Sequence, residues 1–94
     1  YMATVKMLPC ILRGVDFAGD CAGGVEADHA GERPLSWKSA DGDTIPLCNW
    51  HHVQRTNYEG FFAGFNAEAM RVWCDLAIAA TKRRVLWLRV VPWF

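Results

Sequence analysis

The chain has 94 residues, ten of them basic and ten acidic, and a formal net charge of zero. Apolar residues make up 52% of it, with five Trp and five Phe, which excludes a disordered tail; the balanced charge excludes the polycationic character that drives nonspecific nucleic-acid binding, so any such site must rest on local charge. The length suits one small domain, residues 1–94, of a marginal size that is often helped by a metal, disulfides or a partner subunit.

Residues 2–12, MATVKMLPCIL, form an apolar stretch compatible with one helical turn or with a short strand. Lys6, Pro9, Arg13 and Asp16 interrupt it before it reaches the length of a signal-peptide core, and no stretch of about 20 apolar residues would span a membrane. A cytoplasmic location without membrane association is therefore expected. Residues 13–24 carry four glycines and two aspartates, the composition of a loop with tight turns. Val25, Glu26, Ala27, Asp28 and His29 then alternate apolar and polar, as in a half-buried strand.

A second loop with Gly31, Pro34 and the turn-like Asp41-Gly42-Asp43 leads into Thr44-Ile45-Pro46-Leu47-Cys48. That is a second short strand, which Pro46 confines to an edge or an end. Residues 49–56 lack glycine and proline, so a helix can begin there with Asn49 as its N-cap. Gly60 and Gly64 flank the aromatic cluster of Phe61, Phe62 and Phe65. Asn66 then reads as the N-cap of an amphipathic helix over about residues 66–84, ending at the basic Lys82-Arg83-Arg84. The β-prone apolar tail, residues 85–94, is expected to pack on the core or to pair with a second copy as a homodimer.

Chemistry concentrates in Cys48-Asn49-Trp50-His51-His52. A C-x-x-H pair at a strand-to-helix junction sets two soft ligands on one turn, which suits tetrahedral zinc. Cys10 and Cys21 are the candidates for the other two positions, giving a structural Cys3His site of Cys10, Cys21, Cys48 and His51. Arg13 stands where the second cysteine of a C-x-x-C would fall. Cys74 belongs to the apolar helix face as a buried thiol, and two disulfides are the lesser alternative for the four cysteines. Asp28 and His29 close the first strand; they serve one site only if the strand ends or bends there, which Ala30-Gly31 permits. His52, on another side of the helix from His51, can complete a hard-cation site with Asp28, and the imidazole of His29 can take a proton from water.

The string VEADHAGERPLSWKSADGDTIPLCNWHH, with LPC and a further cysteine upstream, resembles the core of HNH (ββα-metal) endonucleases and is similar to recombination-associated members from phages and prophages. The resemblance covers about residues 8–57. It implies an α+β fold, a small zinc-stabilised ββα-metal core followed by the amphipathic helix and the apolar tail. By it, Asp28 and His52 bind a catalytic Mg²⁺ or Mn²⁺, His29 is the general base, and Asp43 takes the place of the family's central Asn, orienting His29 or bracing the loop. The implied reaction is metal-assisted hydrolysis of DNA phosphodiester bonds. Lys38 matches a recurrent lysine, and Lys38 and Arg55 are expected at phosphates. Many relatives carry another histidine near the helix end, where this chain has Asn57 and Glu59. The alternative to a nuclease is a zinc-stabilised module of the same fold that binds nucleic acid or protein without catalysis.

Overall fold

The computed structural model describes residues 1–30 and 41–90. Helix α1 is Met2–Lys6, strand β1 Val25–His29, strand β2 Thr44–Cys48, helix α2 Asn49–Asn57 and helix α3 Ala67–Val90. Single 3₁₀ turns, Asp41–Asp43 and Gly60–Phe62, precede β2 and follow α2. The open choice for the N-terminal stretch is thus resolved as a helix, while Lys38 and residues 91–94 of the tail lie outside the described residues. The molecule is α+β. Among the described residues no helix is long and apolar enough to cross a membrane.

The two strands pair antiparallel, with Val25 opposite Cys48 and His29 opposite Thr44. A lone hairpin is marginal in water, so the sheet depends on what covers it. All five residues of β2 are buried. Both α1 and α3 lie against that strand, and the Ile11 N–H donates to the Pro46 carbonyl at 2.8 Å. Pro46 has no N–H to place, so it sits in β2 opposite Ala27 with no donor left unmet.

The main core joins Ile45 and Leu47 of β2 to Met70, Cys74, Ala77 and Ile78 of α3, with Phe62 at its centre. Phe62 is fully buried and meets Phe61, Phe65 and Trp73 edge-on at centroid distances of 5.1, 5.4 and 4.9 Å. Edge-to-face packing sets the positive rim of one ring against the negative face of another, so the apolar residues between α2 and α3 form a fixed wedge. A smaller cluster of Val5, Leu8 and Val85 docks α1 on the C-terminal half of α3.

Asn66 caps α3 as expected: its Oδ1 accepts the Ala69 N–H at 2.8 Å. Two helix boundaries differ from the sequence reading. The α3 helix runs past Lys82-Arg83-Arg84 to Val90, and the first residues of the supposed β-prone tail are helical. Nothing breaks the pattern before Pro92, and Val85 has a core partner in α1, so burial overrides β propensity. Lys82 marks no helix end; its Nζ reaches Asp43 Oδ1 at 3.6 Å. In α2 the N-cap is Cys48, not Asn49, and its sulfur accepts the His51 N–H at 3.4 Å.

Candidate metal centre

Cys48 ends β2 and caps α2, which fixes His51 one turn into the helix on the same side. Loops deliver the other two sulfurs. The Arg13 N–H donates to the Cys10 carbonyl at 2.9 Å, closing a turn where a second cysteine would ordinarily follow, and the chain continues to Cys21. The loop after Cys21 then crosses the start of α2. The Asn49 N–H donates to the Gly24 carbonyl at 2.9 Å and the Trp50 N–H to the Ala22 carbonyl at 3.1 Å, so two first-turn donors of the helix hold this loop in place. Gly23 makes the crossing at φ +79°, and a Cβ there would fall 2.7 Å from the Asn49 Cβ. Only glycine fits.

The result is a cluster of Cys10, Cys21, Cys48 and His51 whose ligand atoms all lie within 4.8 Å of one another. The three sulfurs stand 3.5, 3.7 and 3.1 Å from His51 Nδ1. Tetrahedral zinc, with Zn–S near 2.3 Å and Zn–N near 2.05 Å, sets sulfur and nitrogen about 3.6 Å apart. The cluster therefore has the size of a Cys3His zinc site. His51 is fully buried, and its Nε2–H donates to the Ala18 carbonyl at 2.8 Å. That bond leaves the Nδ1 lone pair facing the sulfurs, the tautomer a metal needs. All four cysteines are free of disulfides.

Desolvation, with hydrogen bonds to Cys10 and Cys48, pushes the Cys21 thiol up to about 12. Burial acts the same way on Cys48, but the backbone N–H groups of His51 and Ala22 and the neighbouring thiols outweigh it and bring that group below the ordinary thiol value. Cys48 thus carries charge easily while Cys21 resists adding more, and three thiolates together would require a positive ion. Cys74, away from the cluster, is buried as expected; burial raises its thiol, and Arg55 Nη1 approaches its sulfur at 3.8 Å.

A second polar cluster adjoins the first. Asp28 is 2% exposed. His52 Nε2 lies 3.4 Å from its Oδ1, so β1 and α2 bring together the two residues expected to bind a catalytic ion. Arg55 also grips Asp28, with Nη2 donating to Oδ1 at 2.8 Å and Nε donating to Oδ2. The guanidinium expected at a phosphate is therefore turned inward, and the hydrogen bond and charge of Asp28 hold its proton more firmly than usual although burial opposes this. His52 Nδ1 lies 2.7 Å from Glu26 Oε1. That bond, with a second from Asn49, holds the Glu26 carboxyl below its ordinary value.

His29 is exposed at the end of β1, and the strand stays regular through it, with the Ala30 N–H donating to the Asp43 carbonyl at 3.1 Å, so the bend that would turn His29 to the face of Asp28 is absent and alternation sets the two on opposite faces of the strand. Asp43 is thereby tied to the backbone just after His29. An open groove of about 260 Å³ runs beside His52, lined by Glu26, Asn49, Val53, Thr56 and Asn57. Asn57 is thus at this groove, while Glu59 is exposed just before the Gly60–Phe62 turn.

Glu26 and the inward turn of Arg55 were missed in the sequence. The signal was present in period and spacing: Glu26 and Asp28 share one face of β1, and His52 and Arg55 lie three apart on one side of α2. Comparison of the chain with protein-family models, with curated proteins and with solved structures finds no match.

Proposed function

We propose that the protein is a zinc-stabilised, metal-dependent endonuclease of the HNH (ββα-metal) type that hydrolyses DNA phosphodiester bonds. The observation that carries this reading is the 3.4 Å approach of His52 Nε2 to Asp28 Oδ1, made across β1 and α2 directly beside the Cys3His cluster. Two ligands of a single ion, each about 2.1 Å from it, stand roughly 3.0–3.4 Å apart, so the spacing of these two atoms suits one divalent cation. Bound there, Mg²⁺ or Mn²⁺ would polarise the phosphate and steady the leaving oxygen.

The chain's own residues do the rest. His29, exposed at the strand end on the face opposite Asp28, takes the proton from the attacking water once the end of β1 turns its imidazole toward the ion. Asp43 braces the segment after His29 through its carbonyl. Arg55 exchanges part of its hold on Asp28 for a phosphate oxygen, and Lys38 supplies a further cation on the DNA backbone. Cys10, Cys21, Cys48 and His51 would hold the zinc, which would anchor the first turn of α2, on which the position of His52 depends.

One observation favours a second reading, a zinc-stabilised binding module without catalysis. Arg55 already satisfies both oxygens of Asp28, as in a structural ion pair. A plasmid-nicking assay separates the two. The nuclease reading expects Mg²⁺- or Mn²⁺-dependent nicking that His29→Ala and His52→Ala abolish; the module reading expects none from the parent protein.

A further inference from the structure

Two adjacent histidines in α2 are oriented by different partners. His51 gives its Nε2–H to a backbone carbonyl, as described above, and turns Nδ1 to the sulfurs. His52 does the reverse. Its Nδ1 is 2.7 Å from Glu26 Oε1, within hydrogen-bond length, while its Nε2 is 3.4 Å from Asp28 Oδ1. A neutral imidazole has one N–H and one lone pair. In the neutral form the shorter contact takes the N–H, which leaves the Nε2 lone pair facing a carboxylate oxygen. Two acceptors set against each other are the arrangement a shared cation relieves.

Glu26 is itself held for this task. Asn49 Nδ2 donates to its other oxygen at 3.4 Å, and its place two residues before Asp28 keeps both carboxylates on the same face of β1. We infer that Glu26 is a positioning residue that holds His52 in the Nδ1–H tautomer and so presents Nε2, beside Asp28, as a ligand for a divalent cation. The content of the inference is the Glu26–His52 geometry; its purpose rests on the nuclease reading. A carboxylate on the far nitrogen also makes the near one a stronger donor to a metal, and loss of such a partner typically costs 10–100-fold in metal affinity.

The test uses the full-length, zinc-loaded protein labelled with ¹⁵N, examined by long-range ¹H–¹⁵N correlation above the histidine range, at about pH 8.5. The parent is expected to show His51 as Nε2–H and His52 as Nδ1–H. Glu26→Ala should release His52 from that tautomer and leave His51 unchanged, whereas Glu26→Gln, whose amide oxygen still accepts, should retain it. Mn²⁺ titrations followed by electron paramagnetic resonance should show affinity falling about 10–100-fold in Glu26→Ala and by less in Glu26→Gln. The inference is overturned if His52 in Glu26→Ala keeps the parent tautomer, or if Mn²⁺ affinity stays within about twofold. A parent with the expected tautomers that never nicks DNA would remove the nuclease reading and leave the orientation standing. A parent that nicks, with Glu26→Ala unaltered in tautomer and affinity, would do the opposite.

Discussion

Replacing Cys48 by serine and by alanine separates two contributions of one atom. The Cys48 sulfur accepts the His51 N–H as N-cap of α2 and is also one of four ligand atoms of the cluster, with the residue 1% exposed. Serine keeps a capping acceptor and lacks the thiolate; alanine lacks both. In metal-free protein the alanine variant should be less stable than the serine variant by about 1 kcal/mol, the usual worth of an N-cap. In zinc the larger difference appears. Free zinc at about a thousandfold above its dissociation constant stabilises the folded state by about 4 kcal/mol, which both variants should lose. For a domain of this size that is a fall in Tm of about 15–30 °C. Circular dichroism melts with and without a chelator, alongside zinc measured per chain, provide the assay. A parent whose Tm ignores the chelator, or a Cys48→Ser variant within about 0.5 kcal/mol of the parent in zinc, would refute zinc stabilisation.

Removing Arg55 leaves the 2% exposed Asp28 without its ion pair, so Arg55→Met should cost about 3–5 kcal/mol in denaturant melts. If Asp28 and His52 form a cation site, Mn²⁺ should restore more stability to this variant than to the parent; an equal response would count against the site. Cys74 gives a pH dependence. Burial raises its thiol above the ordinary 9.0, so the folded protein keeps that proton where the unfolded chain loses it. The associated stability is present below 9.0 and declines as pH rises toward the folded value. Urea titrations of zinc-loaded protein should show this decline in the parent and a weaker one in Cys74→Ala; parallel curves would contradict the assignment.

How far the sequence could be read depended on what each feature required. Both strands were legible because five-residue runs with the right alternation or β content are bounded by loops, and the observed elements are Val25–His29 and Thr44–Cys48. The four ligand residues were legible because cysteine and histidine beside a C-x-x-H turn have few other uses, although their juxtaposition depends on Gly23 and the helix-end hydrogen bonds of Asn49 and Trp50. Tertiary packing hid the remainder. The continuation of α3 past Arg84 follows from the contact of Val85 with α1, which no local pattern announces. The Cys48 cap was obscured by Asn49, a better capping residue by propensity, because the sulfur's place in the cluster decides the geometry. Arg55 was expected at a phosphate, yet the buried carboxylate of Asp28 needs a partner and takes its guanidinium.

The central claim is that Asp28, His29 and His52 act together on a phosphodiester. Supercoiled plasmid incubated with zinc-loaded parent protein in Mg²⁺ or Mn²⁺, beside a His29→Ala variant of equal zinc content and equal Tm, tests it most directly. Conversion to nicked circles by the parent alone, abolished by chelating the divalent ion, is the predicted result. Equal nicking by both proteins, or none by either, would contradict it.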